Sequence, residues 1–120
     1  MAKILIIDDD VQTTKLLESM VTLYGHQATS VNNSMSAVEV ANSIMPDLIL
    51  LDIMMAGING IELCKIFQST SGLKHISIII VSALDDVGSK KDAFHAGARD
   101  FLTKPILSQV LANKIEALIH

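Results

Sequence analysis

Short apolar runs alternate along this chain with stretches in which apolar residues return every three or four positions. KILIID (3–8) reads as a buried strand. From Val11 to Tyr24, the set Leu16, Leu17, Met20, Val21, Leu23 and Tyr24 keeps helical spacing, and Gly25 stops it. QATSV (27–31) is a weaker strand. Ser34 to Met45 predicts a helix with Ala37, Val38, Ala41, Ile44 and Met45 on one face, before Pro46. DLILLD (47–52) is the most apolar strand, and Asn59 to Thr70 a third helix that ends near Gly72. ISIIIVSA (76–83) is strand again, followed by a polar helix from Asp86 to Ala96 that ends at Gly97. RDFLT (99–103) is a short strand. Leu107 to His120 is a last helix with Leu111, Ile115 and Leu118 in line.

Five strands thus alternate with five helices, with no repeat, linker or low-complexity stretch between them. Strands apolar on both faces need helices on both sides, so the expected fold is α/β, a doubly wound parallel sheet forming one domain over residues 1–120. Ligands in such sheets bind beyond the carboxyl ends of the strands. Those ends carry Asp8-Asp9-Asp10, then Asp52, then Ser82, then Lys104-Pro105. The conspicuous polar residues therefore converge on one edge of the sheet.

Composition narrows what that edge serves. Half of the 120 residues are hydrophobic and the net charge is −4, with few aromatics and no basic run. This argues against disorder and against nucleic-acid binding by this domain. No apolar run approaches the ~18 residues of a membrane span, and MAKILIIDDD meets its acids too early for a signal peptide. A soluble cytoplasmic protein is expected. The single Cys64 falls at helical spacing with Gly60 and Phe67 and reads as a small core thiol.

Several carboxylates within a few ångströms of one another need a positive charge among them. Hard oxygen ligands suit Mg²⁺, held by one or two carboxylates and completed by waters or a phosphate. Lys104 supplies a second positive charge. A divalent ion, an ammonium, a hydroxyl and a carboxylate together meet the needs of phosphoryl transfer. Asp52, at the end of a central strand, stands as the nucleophile, able to accept a phosphoryl group as an acyl phosphate.

The fragments IIDDD, LLDIMMAGINGIEL, IIIVSA and GARDFLTKPI, in this order and across the whole chain, resemble the receiver domain of two-component response regulators. The resemblance implies a flavodoxin-like (βα)5 fold with strand order 2-1-3-4-5. It implies Asp52 as phosphoacceptor, and Asp8, Asp9, Asp52 and the backbone carbonyl of Met54 as ligands of Mg²⁺. Ser82 corresponds to the switch hydroxyl, Lys104 to the family's lysine and Phe101 to the switch aromatic. The implied partners are a sensor histidine kinase or phosphotransfer protein, and an output domain or protein. The output would meet the face formed by the fourth helix, fifth strand and last helix. Such a domain is no enzyme in the ordinary sense, since it catalyses only its own phosphorylation and slow dephosphorylation. Two positions depart from the family pattern. Ala56 stands where Pro is usual, which restores an N–H and suggests a looser loop. Ser82 replaces the commoner Thr and keeps the hydroxyl.

Other roles are expected for neighbouring residues. Asp10 is a cap for the first helix, and Asp85 and Asp86 for the fourth. Lys90 and Lys91 form a solvated face. His26, His75, His95 and His120 are expected at the surface, which leaves Ser82 without a triad partner. Three other functions compete with the phosphorylation switch. An unphosphorylated interaction module would usually lack an acid or the lysine. An aspartyl-nucleophile phosphatase would carry a second acid at the place of Met54. A flavin site after the first strand would set a phosphate against three aspartates.

Overall fold

The computed structural model describes residues 1–119. Its elements are β1 (Lys3–Ile7), α1 (Val11–Leu23), β2 (Gln27–Val31), α2 (Ala37–Ile44), β3 (Leu48–Leu51), α3 (Gly60–Ser69), β4 (Ser77–Ser82), α4 (Val87–His95), β5 (Asp100–Thr103) and α5 (Ser108–Leu118). The strands pair in parallel in the order β2-β1-β3-β4-β5. The doubly wound, flavodoxin-like arrangement expected from the sequence is the one observed.

Side chains on a strand alternate between faces, and here both faces are apolar. Leu5, Ile7, Ile49, Leu51, Ile78 and Ile80 pack with Ala37 and Ala41 of α2, Leu63, Cys64 and Phe67 of α3, and Ala93 of α4. Ile4, Ile6, Leu48, Leu50, Ile79 and Val81 face the other way, onto Leu17 and Val21 of α1 and Leu111 and Ile115 of α5. Two layers of helices thus cover the sheet. Cys64 is a core thiol, and burial pushes its pKa up to about 11.

Four sequence expectations need correction. On α1 the buried stripe is Thr14, Leu17 and Val21, while Leu16, Leu23 and Tyr24 are exposed. A helix lying on a sheet buries one narrow stripe, so not every apolar residue in the run finds the core. The second helix begins as a 3-10 turn at Ser34–Ser36 and becomes α-helical only at Ala37. It closes at Met45 in the left-handed region, where Pro46 disfavours helical backbone for the preceding residue. His26 is buried rather than at the surface: its Nδ1 accepts the Ala2 N–H at 3.1 Å. The fourth helix is capped by Asp86, whose carboxylate accepts from the Ser89 N–H, with Asp85 exposed just ahead of it. The predicted residue His120 lies outside the described residues.

Candidate phosphoryl-transfer and metal site

Parallel register brings the ends of β1, β3 and β4 level. Ile7 pairs with Leu51, and Leu51 with Ile80. The residues just beyond those pairs are Asp8 and Asp52. Asp8 is 2% exposed and Asp52 6%. Each is held by backbone bonds past its strand, Asp8 N–H to Val31 O at 3.1 Å and Asp52 N–H to Ile7 O at 3.0 Å. Lys104 enters from the end of β5, where its N–H donates to Ser82 O at 2.8 Å. Its ammonium lies 3.0 Å from Asp8 Oδ2 and 3.8 Å from Asp52 Oδ1.

One oxygen each of Asp8, Asp9 and Asp52 lies within 4.8 Å of the others. Burial, and then the charge of Asp8, push the Asp52 carboxyl up to a pKa of about 6, with Lys104 pulling the other way. A group so placed accepts a cation readily, and three hard oxygens at this spacing fit a small divalent ion such as Mg²⁺. Asp10 belongs elsewhere. It caps α1 through the Gln12 N–H at 3.2 Å, and the Thr13 hydroxyl, donating at 2.7 Å, holds its carboxyl below the usual range.

Ser82 is fully buried at the end of β4, and its Oγ accepts the Leu84 N–H at 3.1 Å. Phe101 sits inside the core layer of α2, α3 and α4, with the Lys90 ammonium 5.8 Å from its ring centroid. Lys90 is therefore half-buried against an aromatic face, whereas Lys91 is solvated as expected. Met54, two residues past Asp52, has a 61% exposed side chain beside an open cleft of about 580 Å³. That cleft is lined by Asp9 and Ala56 and also by Glu62 and Asp92.

Three residues that shape the site escaped the sequence reading. Gly60, the first residue of α3, abuts the loop backbone: a Cβ there would overlap the Asp52 carbonyl and lie 2.7 Å from Ile53 Cα. Its N–H donates to Ile53 O at 2.8 Å. A glycine at a helix start is a weak signal of such close approach. Asn32 donates to the Asp8 carbonyl at 2.9 Å and to Thr14 Oγ1 at 3.1 Å. Ser34 donates to the Ala56 carbonyl at 2.9 Å. Neither has a local sequence signature, since both act across 18 residues or more. The N–H that Ala56 restores is not left free, as a looser loop would have it. It donates to Asp9 Oδ2 at 3.0 Å.

Residues 4–116 match the family model of the response regulator receiver domain. The chain is 34% identical over 119 residues to the protein PilH of Pseudomonas aeruginosa, covering 99% of this chain and 98% of PilH. It is 33% identical to the response regulator PleD of Caulobacter vibrioides over 98% of this chain, which spans only 26% of PleD. Among solved structures, the signal receiver domain of a signal transduction histidine kinase from Syntrophus aciditrophicus superposes with a TM-score of 0.90 at 30% identity. That match covers 99% of this chain and 90% of the other.

Proposed function

Because this chain belongs to the receiver domain family of two-component response regulators, we propose that it is a phosphorylation switch with Asp52 as phosphoacceptor. The observation that carries the reading is the arrangement of Asp8, Asp9 and Asp52 around a shared point, with Lys104 3.0 Å from one buried carboxylate and 3.8 Å from another. The donor is a phosphohistidine of a sensor histidine kinase or phosphotransfer protein. An oxygen of the Asp52 carboxylate attacks the phosphorus in line. The P–N bond to the imidazole breaks, its electron pair returns to the nitrogen, and an acyl phosphate forms.

A Mg²⁺ ion bound by Asp8, Asp9, Asp52 and the Met54 carbonyl would offset the negative charge of the phosphoryl oxygens. Lys104 adds a fixed ammonium on the same side. Ser82 then exchanges its bond with the Leu84 N–H for one with the phosphoryl group. That movement alters the room around Phe101, which is already buried, and shifts an existing equilibrium of the α4-β5-α5 face toward an output domain or protein. Residues 1–120 act as one receiver domain, working in the cytoplasm without binding nucleic acid. Among the described residues no helix is long and apolar enough to cross a membrane.

The test is intact mass after incubation with acetyl phosphate and Mg²⁺. One added phosphoryl group is expected in wild type and none in Asp52→Asn. Equal labelling of both proteins would remove Asp52 from its role.

A further inference from the structure

Both backbone groups of Ala56 are engaged. Its N–H donates to Asp9 Oδ2 at 3.0 Å, and its carbonyl accepts from Ser34 Oγ at 2.9 Å. Ser34 Oγ also accepts the Ile58 N–H at 3.0 Å, and Ser34 is buried. Between these bonds Gly57 takes φ +84, and a Cβ there would lie 2.8 Å from Ser34 Oγ. The two successive peptide units that meet at the Ala56 Cα are therefore each tied, one to Asp9 and the other to Ser34. The loops after β1, β2 and β3 meet on this one residue.

The consequence falls on Asp9. Of the three clustered carboxylates it is the exposed one, whereas Asp8 is held by Lys104 and by the Asp10 N–H at 2.9 Å. Among the described residues, the Ala56 N–H is the hydrogen-bond donor to the Asp9 side chain. A free surface aspartate samples several rotamers, and fixing one of them on ion binding opposes binding. A carboxylate has two oxygens and about four lone-pair sites, so one N–H leaves it ample capacity for a cation.

We propose that the Ala56 amide is a positioning group for the acidic cluster. It holds Asp9 toward Asp8 and Asp52, and Ser34 ties down the next peptide unit, which restrains the backbone that aims the amide. The inference rests on the reading of this cluster as a Mg²⁺ site. A proline at position 56 has no N–H and cannot serve in this way. Groups that orient metal ligands commonly change affinity by tenfold or more when removed.

The experiment is calorimetric Mg²⁺ titration of wild type, Ala56→Gly, Ala56→Pro and Ser34→Ala, joined to amide exchange of residue 56 in chelator. Ala56→Pro should bind Mg²⁺ roughly tenfold more weakly. Ala56→Gly, which keeps the N–H, should stay within about twofold of wild type, and Ser34→Ala should fall between. In metal-free protein, Asp9→Ala should speed exchange of the Ala56 amide. Wild-type affinity in both Ala56→Pro and Ser34→Ala overturns the inference, as does an Ala56→Gly variant as weak as Ala56→Pro. If Ala56→Pro fails to fold, Ser34→Ala and the exchange of the Ala56 amide decide between the same outcomes. Wild type that takes up no Mg²⁺ overturns the metal reading itself, which separates the two failures.

Discussion

Lys104 sits closer to Asp8 than to Asp52, 3.0 Å against 3.8 Å, so its ammonium compensates the non-central carboxylate first. Asp52 is left partly uncompensated, and its carboxyl is pushed up from an ordinary 3.8 to about 6 by burial and by the charge of Asp8. For an acid with a raised folded-state pKa, the fold binds the proton more tightly than the unfolded chain does. This group's contribution to stability therefore falls as pH rises between about 4 and 6. Above that window the ionised carboxylate costs roughly 3 kcal/mol, about two pKa units at about 1.4 kcal/mol each. Asp52→Asn should accordingly stabilise the metal-free protein near pH 7 by about that amount, and the gain should vanish near pH 4. Urea melts in chelator at the two pH values measure it. A gain independent of pH would mean that ionisation of Asp52 is not its source.

Removing the ammonium should expose the same imbalance from the other side. Lys104→Ala leaves Asp8 buried with one oxygen stripped of its charged partner. Because Lys104 is partly solvated, a loss of about 1–3 kcal/mol is expected rather than the cost of a fully buried pair. Added Mg²⁺ should restore part of it. Phosphorylation by acetyl phosphate should slow but persist, while phosphorylation-dependent changes in the amide spectrum of β5 shrink. A variant with the full wild-type spectral response would show that Lys104 does not couple the site to β5.

Gly60→Ala tests the contact between α3 and the loop that follows Asp52. The added methyl would meet the Asp52 carbonyl, backbone that cannot move aside without carrying the carboxylate with it. A destabilisation of about 1–3 kcal/mol is expected, with slower phosphorylation at saturating donor. Wild-type stability together with wild-type rate would show that α3 shifts without consequence for Asp52.

The acids and the lysine were legible because strand ends in a parallel sheet are a fixed place, and an apolar run ending in Asp marks one. The hydrophobic alternation located all ten elements, since each buried strand announces itself locally. What stayed hidden depends on contacts between distant segments. Leu16, Leu23 and Tyr24 share the spacing of Leu17 and Val21, and only docking on the sheet decides which side of α1 is covered. His26 is buried because β1 begins beside it and supplies the Ala2 N–H, which its flanking residues do not reveal. Ala56 read as the loss of a rigid proline, whereas the fold gives the regained N–H a partner 47 residues away in Asp9.

The duration of the signal should depend on water reaching the phosphorylated Asp52. Met54 is 61% exposed at the rim of the cleft, whereas Leu84 is half-buried against the core. Both side chains are apolar, so neither can orient a water for in-line attack, and both can exclude one. A phosphorylated state that decays slowly is expected. One oriented water contact is worth on the order of 1–2 kcal/mol, hence roughly tenfold in rate. Met54→Asn combined with Leu84→Glu should therefore speed dephosphorylation by about that factor. Because Met54 stands at the cleft and Leu84 packs inward, Met54→Asn alone should deliver most of the change. The decay of phosphorylated protein after donor removal, followed by intact mass, measures it. A double variant that decays at the wild-type rate would mean that these two side chains do not control access of water to the acyl phosphate.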